Sequence, residues 1–136
     1  MKVLVDTPIW SLSLRRKART ESEPVRSELA ALVQDGRVAI IGPIRQEILS
    51  GIRERPQFER LRDHLRAFMD TPITSEDYEE AATFFNLCRS RGIQGSNTDF
   101  LICAIAVRND FSIFTTDDDF ALYGRVLPIA LHSAAK

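Results

Sequence analysis

Lys2-Val3-Leu4-Val5-Asp6-Thr7-Pro8-Ile9-Trp10 runs from three apolar residues into an acid, a hydroxyl and a proline. The apolar run reads as a short buried strand, and the residues after it read as the abrupt start of a helix. Thr7 is the expected N-cap, and Pro8 suits the first helical position, where its missing N–H costs nothing. Asp6 is thereby placed at the carboxyl end of a central strand. In open α/β sheets, ligands and chemistry collect at that edge.

Two further apolar runs can pair with this strand. Arg37-Val38-Ala39-Ile40-Ile41 has the uninterrupted character of a parallel-sheet strand and is closed by Gly42-Pro43, with a helix expected from Pro43. Phe111-Ser112-Ile113-Phe114-Thr115 is the second, and it runs straight into Thr116-Asp117-Asp118-Asp119-Phe120. Val126-Leu127-Pro128-Ile129 reads as an edge strand, because proline cannot serve a central ladder.

Helical spacing fills the intervals. The first helix is expected to reach about Lys17, packing through Ile9, Trp10, Leu12 and Leu14. A second starts at Ser22-Glu23-Pro24, carries Val25, Leu29, Leu32 and Val33 on one face, and stops at Gly36. Together they read as an exposed amphipathic hairpin. Phe58, Leu61, Leu65, Phe68 and Met69 mark another helix with His64 beside the stripe, and Thr71-Pro72-Ile73 a brief extended piece. Thr74-Ser75-Glu76-Asp77 is a capping-box pattern, opening a helix with Tyr78, Ala81, Ala82 and Phe85 inward as far as Gly92. Its acids Glu76, Asp77, Glu79 and Glu80 are ascribed to the helix dipole and solvent. Ser96-Asn97-Thr98-Asp99 opens a helix whose next residues, Phe100 to Val107, carry no polar group except the weakly polar Cys103. Such a helix is buried on most sides. Strands alternating with helices in this way predict one α/β domain over residues 1–136, with a short, mainly parallel central sheet.

Composition agrees with that class. A chain of 136 residues with 44% hydrophobic and 27% charged content is neither disordered nor fibrous, and it can bury a core without staples. Cys88 and Cys103 lack CxxC spacing or a disulfide framework, which suits a reducing compartment. No signal-type leader and no apolar run of membrane-spanning length is present, so a cytoplasmic protein without a membrane partner is expected. The net charge of −1 conceals a bias: arginine supplies 15 of the 18 basic residues. Arg15, Arg16, Lys17 and Arg19 cluster, and Arg45, Arg53, Arg55, Arg60, Arg62 and Arg66 extend the bias through the middle of the chain. A planar guanidinium grips phosphate oxygens bidentately, so Arg15, Arg16, Lys17 and Arg45 are candidate RNA contacts, against the alternative of a solvated surface.

The acids are the informative residues. Asp6 and Asp117 each close a strand, and Asp99 heads the most apolar helix. Glu47 lies three residues from Ile44 and four from Gly51, at the border of a buried face. Each has an ordinary explanation as an N-cap, a dipole partner or a rim charge. Three consecutive aspartates at a strand end, however, repel one another unless counter-charge is present. An oxygen-only set of this kind selects Mg²⁺, with Mn²⁺ as a substitute, over zinc. Metal-assisted phosphodiester hydrolysis is the corresponding chemistry.

The four acidic pieces, in this order and at these separations, resemble the PIN-domain ribonucleases, specifically VapC-type toxins of bacterial toxin–antitoxin pairs. The likeness runs nearly end to end: Val3-Leu4-Val5-Asp6-Thr7, Glu47 in the helix after the second strand, Asp99 heading Phe-Leu-Ile-Cys-Ala-Ile-Ala, and Thr115-Thr116-Asp117-Asp118-Asp119-Phe120. It implies a PIN-like α/β/α sandwich with an acidic groove at the strand carboxyl ends. Asp6, Glu47, Asp99 and Asp117 match the family's catalytic metal-binding acids, and Asp119 matches an accompanying acid. Thr7 and Thr116 match the small hydroxyl residues beside the metal. Pro8 departs from the serine or asparagine of many relatives. The resemblance further implies Mg²⁺-dependent endoribonuclease action leaving 5′-phosphate and 3′-hydroxyl ends, a homodimer, and inhibition by a cognate VapB-type antitoxin.

Other readings compete. A PIN-type nuclease could process RNA without an antitoxin, and a non-catalytic α/β module would bind the ion without cutting. A haloacid-dehalogenase-like phosphatase needs an acid where Pro8 stands. A histidine-pair ribonuclease would use His64 and His132 and no metal.

Overall fold

The computed structural model describes residues 1–14 and 23–134. Strands β1 (Val3–Val5), β2 (Val38–Ala39) and β3 (Ser112–Phe114) form one parallel sheet in the order β2-β1-β3. Val3 lies opposite both Val38 and Ser112, Leu4 opposite Ala39 and Ile113, and Val5 opposite Phe114. Successive strand residues face opposite sides of a sheet, yet all three residues of β1 are fully buried. Both faces are therefore covered, as a parallel sheet requires. Because every pairing is parallel, the carboxyl ends of β1 and β3 share one edge.

Helix α1 (Thr7–Ser13) begins directly at that edge. Its N-cap is Asp6, one residue earlier than expected: Asp6 is still extended, and its Oδ1 accepts from the Thr7 N–H at 2.9 Å. Thr7 thus falls inside the helix. Trp10 donates its indole N–H to the Val5 carbonyl at 3.1 Å and pins the helix back on the strand it leaves. The helix ends at Ser13 rather than near Lys17. Arg15, Arg16, Lys17, Arg19 and Ser22 lie outside the described residues.

α2 (Glu23–Gln34) buries Leu29 and Leu32 but exposes Val33, and Gly36 takes the left-handed conformation (φ +66°) that stops it. The expected exposed hairpin is instead half interior, since Ile9 and Trp10 are buried. α3 (Gly42–Leu49) starts one residue before Pro43 and buries Ile44 and Ile48. α4 (Arg55–Leu65) is shorter than its apolar stripe, leaving Phe68 and Met69 beyond its end, with Met69 90% exposed.

α5 (Ser75–Ser90) opens with the expected capping box between Thr74 and Asp77. Its buried face is Asp77, Ala81, Phe84 and Cys88, rotated from the predicted one, and Tyr78 points outward. Asp77 is buried and pairs with Arg108 at 2.8 Å, a partner 31 residues away, so dipole and solvent do not account for it. Arg108 sits near the end of α6 (Asn97–Asn109), every residue of which from Phe100 to Ala106 is buried. α6 packs on α5 and β3. Cys88 and Cys103 are free and buried in these two helices.

The short α7 (Asp119–Tyr123) ends in a turn where the Val126 and Leu127 amides both bond the Tyr123 carbonyl. Residues 126–129 are consequently no strand. The flank of β3 is covered a little later, where Leu131 bridges Ile113 in parallel and Pro128 has already been passed. On the other flank, Ile40 bridges Asp70. No helix among the described residues is long and apolar enough to cross a membrane.

Candidate active site

Asp6 is fixed by both neighbours of its strand end. Its amide donates to the Phe114 carbonyl at 2.9 Å, continuing the ladder one step past β1. Its Oδ2 accepts from Thr115 Oγ1 at 2.8 Å, and Thr115 Oγ1 in turn accepts from the Asp117 amide at 3.0 Å. One hydroxyl, the first residue after β3, thereby couples two acids 111 positions apart in the chain. Asp117 Oδ1 accepts from the Asp119 amide at 2.9 Å, which turns the chain into α7.

Asp99 arrives from the other direction. It occupies the first turn of α6, where its amide donates to Ser96 Oγ at 3.1 Å. Its Oδ2 does not return to the Ser96 backbone as in a full capping box but accepts from the Tyr123 hydroxyl at 2.6 Å. Glu47, exposed on the last turn of α3, adds its charge to the surroundings of Asp6.

Asp6 and Asp99 are both shifted by their surroundings. Burial is the main reason that the Asp6 carboxyl is pushed up to about 6; the hydrogen bonds from Thr115 and Thr7 oppose it, and the charges of Asp99 and Glu47 add to it. Asp99 is raised by burial, lowered by the Tyr123 hydroxyl, and raised again by Asp117. The Cys103 thiol, one turn along α6 from Asp99, is pushed up by burial and then by Asp99. None of Asp6, Glu47, Asp99 or Asp117 forms an ion pair among the described residues. Their negative charge has no paired cationic side chain among those residues.

Among the described residues no three acidic, histidine or cysteine side chains already stand grouped as a ligand set. Asp6, Asp99 and Asp117 have each turned an oxygen to a protein donor instead. Each carboxylate oxygen keeps a further lone pair, so these bonds do not exhaust its capacity. The donor set is hard and oxygen-only, and Thr7 Oγ1, next to Asp6, is buried with no hydrogen-bond partner. A hydrated divalent cation fits that combination, since it takes oxygen ligands and retains waters that could satisfy an orphaned hydroxyl.

Other residues expected at the site stand elsewhere or do other work. Thr116 is exposed, and the hydroxyl that reaches Asp6 belongs to Thr115. Asp119 is exposed but still adds its charge to the environment of Asp99. Arg45, expected to contact RNA, is committed internally: its guanidinium bonds Asp70 Oδ1 at 3.0 Å, the Leu65 carbonyl at 2.9 Å and the Phe68 carbonyl, closing the end of α4. His64 and His132 line different clefts, the first facing Phe68, the second paired with Glu28 at 3.3 Å. They do not form a catalytic pair. Sequence reasoning missed Thr115 and Tyr123. The first could have been found as the hydroxyl ending the β3 run, whereas nothing in the pattern separates the second from an ordinary core aromatic.

A family model described as the PIN domain matches residues 3–126. The VapC ribonuclease Mb1587 of Mycobacterium bovis is 31% identical over 129 residues, covering 91% of this chain and 92% of its own. Ribonuclease VapC11 of Mycobacterium tuberculosis matches to the same extent. In three dimensions the fold is similar to FitAcB from Neisseria gonorrhoeae, with a TM-score of 0.79 at 18% identity over 97% of both chains. It is also similar to VapBC2 from Rickettsia felis bound to a promoter DNA fragment, with a TM-score of 0.78 at 15% identity over 97% of this chain and 98% of that one.

Proposed function

The chain belongs to the PIN-domain family and, within it, with the VapC ribonucleases, and from that premise we propose that it is the endoribonuclease toxin of a toxin–antitoxin pair. It hydrolyses RNA phosphodiester bonds with a Mg²⁺ ion held by Asp6, Glu47, Asp99 and Asp117, and Mn²⁺ substitutes. The observation that supports this reading is that the charges of Asp99 and Glu47 raise the Asp6 carboxyl and that of Asp117 raises Asp99, with no basic side chain among the described residues paired to any of the four.

Bound there, the cation would supply the charge that activates water toward phosphorus and stabilises the leaving oxygen. The protein's own part is to hold the acids. Thr7 N–H and Thr115 Oγ1 fix Asp6, and the hydroxyl of Tyr123 fixes Asp99. Arg15, Arg16 and Lys17, next along the chain from α1, are proposed to meet the RNA backbone. The relatives named after VapBC and FitAB complexes support a small antitoxin as partner, and a homodimer is proposed as the working form.

The test is cleavage of total RNA by wild type and Asp99→Asn, with Mg²⁺ or with EDTA, followed by analysis of the cut ends. Wild type should cut only with the metal, leaving 5′-phosphates, and the near-isosteric amide should remove at least about 100-fold of the rate, a loss of about 2.7 kcal/mol of transition-state stabilisation. Cleavage by the Asn variant at the wild-type rate, or cutting that survives EDTA, overturns the proposal.

A further inference from the structure

Tyr123 is fully buried, with its ring 4.9 Å from Phe100 and 5.2 Å from Phe120. Phenylalanine would fill that place equally well, so the packing explains the ring and not the hydroxyl. A buried phenol needs an acceptor, and this one has taken Asp99 Oδ2.

Gly95 gives a second, independent observation. Its backbone is not left-handed, so conformation does not demand glycine. Space does: a Cβ there would lie 2.8 Å from Tyr123 Cζ and 3.0 Å from Phe100 Cε2, and closer still to the phenol oxygen. The missing side chain leaves room for the hydroxyl to stand where it meets Asp99.

We propose that Tyr123, admitted by Gly95, is a positioning residue that orients the Asp99 carboxylate for the divalent cation. The inference rests on the proposed nuclease function. Tyr123 is not catalytic, because its hydroxyl is buried against Asp99 and acts only through that carboxylate. Donors of this kind fix ligand orientation, and their loss typically costs about 10–100-fold in metal affinity or activity.

The test uses Mn²⁺ alone as the probe, titrated calorimetrically into the full chain as wild type, Tyr123→Phe, Gly95→Ala and Asp99→Asn. Tyr123→Phe should weaken Mn²⁺ binding about 10-fold or more. RNA cleavage by this variant should need correspondingly more metal yet approach the wild-type rate at saturation. Gly95→Ala, which keeps the phenol but displaces it, should weaken binding in the same direction, and should add less to Tyr123→Phe than it does to wild type. Wild-type affinity in Tyr123→Phe overturns the inference and leaves the nuclease function standing. Should that variant not fold, unchanged affinity in Gly95→Ala overturns it equally. A wild type that neither binds Mn²⁺ nor cuts RNA overturns both.

Discussion

Thr115 shows how much one hydroxyl can carry. It donates to Asp6 and accepts from the Asp117 amide, so Thr115→Val keeps the shape and severs both links. Loss of about 10-fold in cleavage at limiting Mg²⁺ is expected, with recovery at high Mg²⁺, as checked by rate against metal concentration. Asp6 itself sets a pH signature. Its folded pKa is raised from 3.8 to about 6, so the native state holds this proton more tightly than the unfolded chain. In metal-free protein the group therefore favours folding at low pH, and that contribution is lost as pH rises through about 6. On the proposed metal site, Mg²⁺ would bind the ionised form, so the increase in Tm expected from it should grow across the same window. Thermal scans at pH 5 and pH 7, with EDTA or Mg²⁺, check both halves, and Asp6→Asn should flatten them. Asp6, Asp99 and Asp117 stand out in the sequence because each follows a strand or opens a helix beside apolar residues. Tyr123 is not, because its hydroxyl's partner lies 24 residues away and only coordinates pair them.

At the scale of elements, periodicity locates every strand that pairs but misjudges faces and ends. α5 is turned because Asp77 is held inward by Arg108, a pairing that no local pattern encodes. Asp77→Ala removes the capping bond to the Thr74 amide and leaves Arg108 without its partner. A loss of about 2 kcal/mol is expected after allowance for the partly exposed guanidinium, measured by urea unfolding with unchanged m. α6 is legible because its all-round apolarity admits one interpretation. Ile102→Ala at its centre should cost about 2–5 kcal/mol by the same measurement. The apolar stripe of α4 outruns the helix itself: Arg45 binds the Leu65 and Phe68 carbonyls and closes the helix before Phe68 can join it.

Across the whole molecule, the short parallel sheet is legible from three apolar runs, and its flanks are not. The last segment covers β3 through two backbone bonds, Ile113 N–H to Ala130 and His132 N–H to Ile113, at 2.9 and 2.8 Å. Pro128 draws attention to the wrong residues; the pairing begins only after it. Ending the chain after Ile129 should lower stability by about 2 kcal/mol, at about 1 kcal/mol for each bond, and should lower Tm in a thermal scan.

The order β2-β1-β3 puts the first strand made between one formed early and one formed near the end. While the ribosome has yet to add Phe114 and Thr115, β1 has a neighbour on one side only and Asp6 lacks the hydroxyl that holds it. On the proposed function, a product that stops short of β3 lacks Thr115 and Asp117 and is expected not to cleave RNA.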